Sequence, residues 1–165
     1  HLFKMPRGAI EVVIHPQSIV HSMVAYTDGT VMAQMGLPDM KAAIAYALSG
    51  PERLPIELAA PDFTALNSLT FEKPNLAKFP CLALAGRACE AGGTMPAVLN
   101  AANEVAVAAF LDEAIGFIQV PQLIEAVLAG HERIPDPDIE AILAADGQAR
   151  QAGAKWVREN GEGGL

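Results

Sequence analysis

Pro51, Pro55, Pro61, Pro74 and Pro80 interrupt residues 49–80 every few positions. Each lacks a backbone N–H and its ring obstructs the preceding helical turn, so no long helix or central strand can cross the stretch. The chain must fold as two parts joined by an irregular connector. That connector carries Ile56, Leu58, Phe63, Leu66, Leu69 and Phe71. A free linker has no use for such apolar anchors, so the segment is expected to lie along a surface.

The parts on either side have different periodicities. Before the prolines, Ala9–Ile14, Ser22–Tyr26 and Thr30–Met35 read as about three strands. Asp28-Gly29 between the last two points to a hairpin with a type I′ turn, which needs φ > 0 at both central residues. Neither Met23, Ala25, Val31, Ala33, Met35 nor the alternate set is uniformly polar, so both sheet faces are expected to be covered. Met40–Leu48 returns at helical spacing, with Asp39 as its cap.

After the prolines the chain is alanine-rich and helical. Cys81–Glu90 stops at Gly92-Gly93; a second helix starts from Thr94 as N-cap and reaches Ala114; a third spans Pro121–Leu128; a fourth opens after Asp138 and runs through Trp156 and Val157. Short connections predict a small up-and-down four-helix bundle. The expected class is α+β: a partial mixed sheet of about three strands with one hairpin, then a C-terminal four-helix bundle.

Nineteen acids against eleven Lys and Arg give a net charge of −8 in 165 residues. That argues against wholesale nucleic-acid binding or attachment to an anionic membrane. No apolar run reaches the roughly 18 residues of a membrane span, and the order of a signal peptide is absent. Cys81 and Cys89 lie eight apart in a helix, about 12 Å by the helical rise, too far for a disulfide. Reduced thiols fit a cytoplasmic setting. His1 followed by Leu2, Phe3 and Met5 reads as the tail of an element, and the chain as a piece of something larger.

Ile14-His15-Pro16-Gln17-Ser18-Ile19-Val20-His21-Ser22 places two histidines and two hydroxyls at a strand end, where α/β proteins place reactive groups. Two readings stand. Ser18 caps the turn and His21 packs under the sheet, the commoner fate, or the two project together from a helical turn. The spacing does not match a zinc site, and there is no dinucleotide fingerprint, phosphate loop or nucleophile elbow. Pro38 and Met40 are candidates for an apolar pocket wall shared with the His21 turn, against a core role for Met40. Asn100 and Asn103 are expected to hold a neighbouring loop by hydrogen bonds. His131-Glu132-Arg133 reads as a solvated helix end.

Taken in order, Ile14-His15-Pro16-Gln17-Ser18, His21-Ser22-Met23, Asp28-Gly29, Pro38-Asp39-Met40 and Leu99-Asn100-Ala101-Ala102-Asn103-Glu104 closely resemble the 1-deoxy-D-xylulose 5-phosphate reductoisomerases of the non-mevalonate isoprenoid pathway. The resemblance runs from Leu2 to about Glu159, and only to the family's C-terminal portion. It implies that residues 1–49 end a catalytic α/β domain, 50–75 form a linker and 76–162 a C-terminal helical domain. The N-terminal NADPH-binding domain, the acidic metal ligands and most substrate-phosphate ligands then precede His1. By the same resemblance His21 is the active-site histidine near substrate, with Ser18 beside it, and Pro38 and Met40 line the pocket next to substrate and nicotinamide; His15 is structural. No metal ligand is assigned to this chain. The implied reaction is rearrangement and NADPH-dependent reduction of 1-deoxy-D-xylulose 5-phosphate to 2-C-methyl-D-erythritol 4-phosphate, with Mg or Mn, in a cytoplasmic homodimer. The segment alone is expected to be inactive. The rival reading is a non-catalytic helical interaction or assembly module.

Overall fold

The computed structural model describes residues 5–161. Leu2 and Phe3, and most of the glycine-rich tail, lie outside them. The chain divides into two compact units, residues 12–74 and residues 5–11 with 75–161.

The first unit is a hairpin and one helix. Strand β1 (Val20–Ala25) pairs antiparallel with β2 (Val31–Met35). Positive φ occurs at Gly29 (85°) and not at Asp28. The Gly29 N–H donates to Tyr26 O at 3.0 Å, and Tyr26 N–H to Thr30 O at 2.9 Å. The connection is therefore the three-residue loop Thr27-Asp28-Gly29 with a left-handed glycine, and not a type I′ turn, because Asp28 lacks the positive φ which that turn needs. The Asp28 carboxylate fixes it by accepting from the Thr30 hydroxyl (2.6 Å) and N–H (2.9 Å). Those bonds, the hydroxyl's first, hold Asp28 below the usual carboxylate range.

The first of the three expected strands forms no ladder. Ile14 makes a single bridge, exchanging two 2.9 Å backbone bonds with Glu72. The β-branched run has strand propensity, but a strand also needs a partner along its length. Helix α1 (Met40–Ser49) is capped as expected, Asp39 Oδ1 accepting from Lys41 N at 2.8 Å. Ile19 is the one buried apolar residue of this unit, while Val24 is 55% and Met32 65% exposed. Both hairpin faces are open, Val24 and Met32 on one and Met23 and Val31 on the other, so none of the described residues supplies the cover that these apolar side chains predict.

The second unit holds helices α2 (Cys81–Ala91), α3 (Met95–Leu111), α4 (Gln119–Ala129) and α5 (Ile139–Asn160). Helix α3 touches the other three. Its Val98, Ala101, Ala102 and Ala106 are fully buried against Leu84, Leu123, Ile124, Ala145 and Ala149. Small alanines bring the backbones close, and Gly153 of α5 lies where an added Cβ would sit 3.1 Å from Val105. Asp138 caps α5 by accepting from Ala141 N at 2.8 Å.

Thr94, expected to cap α3, does something else. Its hydroxyl makes no cap bond and instead accepts from Ile134 N–H (3.2 Å) and meets His131 Nε2 at 2.7 Å. With Thr94 N–H donating to Ile134 O (3.1 Å), the α2–α3 turn is laced to the α4–α5 loop. His131 is thus half-buried in a tie, not a solvated helix end. Gly93, at φ 59°, passes so close to the Ile134 carbonyl that a Cβ there has no room. Asn100 bonds Glu104 within its own helix (2.9 Å), not a neighbouring loop.

Candidate functional site

Pro16 pre-sets a turn, and Ser18 N–H donates back to His15 O at 3.0 Å. Ser18 itself takes φ 52°, a left-handed conformation that costs a non-glycine residue about 1–2 kcal/mol. Such strain persists only where the surroundings enforce it. Immediately afterwards β1 carries a bulge. Val20 pairs with Met35 and Ser22 with Gln34, leaving His21 as the extra residue. A bulge re-aims the side chain it carries. The His21 ring turns back over the turn, its Nε2 3.0 Å from Ser18 O. Because a carbonyl only accepts, Nε2 carries the proton in this contact.

The sequence candidates Ser18 and His21 are therefore brought together, and His21 does not pack under the sheet: it is exposed, as is Ser18. Gly36 lies beneath the histidine, its absent Cβ position 3.9 Å from His21 Cε1, and its N–H donates to Ile19 O at 2.9 Å. Pro38 and Met40 follow two and four residues later. Both are exposed, Met40 to 69%, so Met40 has no core role in this unit. They follow the strand end at Gly36, whose absent Cβ position neighbours the His21 ring.

The turn is anchored from a distance. His15 Nδ1 donates to Thr70 O at 2.9 Å and its ring stacks on Phe71 at 4.7 Å between centroids. Gln17 donates from Nε2 to Thr70 Oγ1 (2.9 Å), and its Oε1 accepts from Thr70 N–H (3.2 Å). No local sequence signal joins Gln17 to Thr70, 53 positions apart; the one hint is the apolar Leu69 and Phe71 beside Thr70. Among the described residues no three His, Cys, Asp or Glu side chains gather as a metal site. Cys81, half-buried, has its thiol pushed up by burial, which opposes nucleophilic use.

A family model described as the DXP reductoisomerase C-terminal domain matches residues 35–152. The 1-deoxy-D-xylulose 5-phosphate reductoisomerase of Desulfosudis oleivorans is 60% identical over 154 residues, covering 93% of this chain and 40% of that protein. That of Pelotomaculum thermopropionicum is 53% identical, covering 96% and 41%. The solved Zymomonas mobilis enzyme in complex with NADPH is similar at TM-score 0.88 and 42% identity, over 95% of this chain and 42% of its own. A DOX-P reductoisomerase structure with fosmidomycin and magnesium gives TM-score 0.89 at 39% identity, over 99% and 43%. The chain spans about 40% of the length of the curated relatives it matches. On these matches the chain belongs to the 1-deoxy-D-xylulose 5-phosphate reductoisomerase family, and the domain it matches is the family's C-terminal one.

Proposed function

We propose that this chain is the C-terminal portion of an enzyme that converts 1-deoxy-D-xylulose 5-phosphate to 2-C-methyl-D-erythritol 4-phosphate, and that it supplies the Ser18–His21 turn to the active site. The observation that carries the reading is the bulged His21 held on Ser18 O beside a left-handed Ser18. Complexes of relatives with NADPH, magnesium and fosmidomycin support the cofactors and a phosphorylated sugar substrate. In this reading residues 1–49 end the catalytic domain, 50–75 are its linker and 76–162 the bundle domain. The enzyme is a cytoplasmic homodimer, an association favoured by the hairpin's two open apolar faces; a strictly monomeric sedimentation profile of the parent enzyme would remove the dimer.

The residues present do not fit a divalent ion, since no ligand cluster forms among the described residues. The ion and most phosphate ligands are supplied by the rest of the enzyme, and the segment alone, with Mg or Mn, is inactive. What this chain contributes is positioning. The Ser18 hydroxyl and His21 Nδ1 present short polar contacts to a sugar hydroxyl or phosphate oxygen, while Pro38 and Met40 give an apolar edge for substrate and nicotinamide. His21 orients substrate and does not abstract a proton from it.

The test is kinetic. In the parent enzyme His21→Ala is expected to lower kcat/KM for the sugar phosphate roughly 100-fold, with His131→Ala close to the parent. Equal losses would take His21 out of the site. NADPH oxidation by the 165-residue chain alone would place the essential groups within it.

A further inference from the structure

We propose that Gln17 and Thr70 are positioning residues: a clasp from the connector that sets the backbone on which Ser18 and His21 are presented. The inference rests on the site reading above and concerns residues that reading leaves unused.

Thr70 has its whole backbone polarity occupied by side chains of the turn. Its N–H donates to Gln17 Oε1 at 3.2 Å and its carbonyl accepts from His15 Nδ1 at 2.9 Å. The amide orientation of Gln17 follows from chemistry, because a backbone N–H can only donate and so must face the oxygen. That leaves Nε2 to donate to Thr70 Oγ1 at 2.9 Å. Side chains of residues 15 and 17 thus continue, in place of backbone, the pairing that the Ile14–Glu72 bridge begins.

The clasp ends one residue before the strained one. Ser18 holds φ 52° between two fixed points, the clasped Gln17 on one side and the bond from Gly36 N–H to Ile19 O (2.9 Å) on the other. Without the first point the backbone is free to relax toward negative φ, which re-aims the Ser18 carbonyl. That carbonyl is what His21 Nε2 binds at 3.0 Å, so the imidazole moves with it. Gln17 and Thr70 act through the turn and touch no reacting atom.

The experiment compares Gln17→Ala, Thr70→Val, Thr70→Ser, His21→Ala and Gln17→Ala/His21→Ala in the parent enzyme, measuring kcat and KM for sugar phosphate and NADPH separately, with melting temperatures. Gln17→Ala is expected to lower kcat/KM for the sugar phosphate roughly 10-fold or more while KM for NADPH stays within about 2-fold of the parent. Thr70→Ser, which keeps the hydroxyl, stays nearer the parent than Thr70→Val. The double variant is no worse than His21→Ala, because the clasp acts through the histidine turn. A damaging His21→Ala beside an unaffected Gln17→Ala overturns the clasp alone, and so does a Gln17→Ala loss shared equally by both substrates with a lowered melting temperature. An unaffected His21→Ala overturns the site reading beneath it.

Discussion

Ser18 and His21 could be picked out because a short motif is written in consecutive residues, whereas what makes them a site depends on partners. The bulge at His21 exists only relative to Gln34 and Met35 on β2, and register is a property of two strands. The same limit explains Thr94. Its position before a helix looks like a cap, but two groups from the α4–α5 loop, 37 and 40 residues away, compete for its hydroxyl and win. Ile134 N–H donates to the oxygen at 3.2 Å, and the same hydroxyl shares a hydrogen bond with His131 Nε2 at 2.7 Å. Thr94 is fully buried, and replacing it by isosteric valine strands both partners. Thr94→Val is expected to cost about 1–3 kcal/mol in denaturant unfolding of the chain, with Thr94→Ser losing less. A valine variant as stable as the parent would show that the tie carries no stability.

Helices survive translation from sequence best, since their bonds are local and their caps lie in the adjacent residues. Asp39 and Asp138 both cap where expected. The hairpin loop and the lone Ile14 bridge differ because turn type and strand pairing depend on geometry beyond the residue pair itself. Contacts between helices were less visible still. Arg150 on α5 donates to Glu104 on α3 at 2.8 Å and to Asp146 one turn before it at 2.7 Å. Hydrogen bonding by Arg150, then by Asn100, holds the Glu104 carboxyl below the usual glutamate range. A carboxyl lowered in the folded state contributes stability that is complete above its unfolded value and lost as pH falls through the folded one. Melting temperature measured from about pH 6 to about pH 3 should therefore fall less steeply for Glu104→Gln than for the parent. Parallel acid limbs would mean that the α3–α5 link contributes no pH dependence.

The two units differ in how they are held. The bundle has a contiguous apolar core, whereas the hairpin unit buries Ile19 and leaves α1 without a buried residue. Backbone amides in the hairpin of the isolated chain are expected to exchange with solvent much faster than those of α3, as burial governs local opening. Hydrogen exchange read by mass spectrometry or NMR decides it, and equal protection of β1 and α3 would contradict the division. The apolar fraction in the sequence foretold a core without saying that most of it belongs to the second half, because composition carries no address. The bridge between Ile14 and Glu72 also has a consequence in time. It closes a loop that starts at the site turn and returns only late in the proline-rich connector, a long-range contact whose closure entropy delays it relative to hairpin and helices. During synthesis the histidine is made before the connector, but its turn stays unset until residues 70–72 have left the ribosome, so a chain cut before Thr70 keeps the motif and loses its conformation.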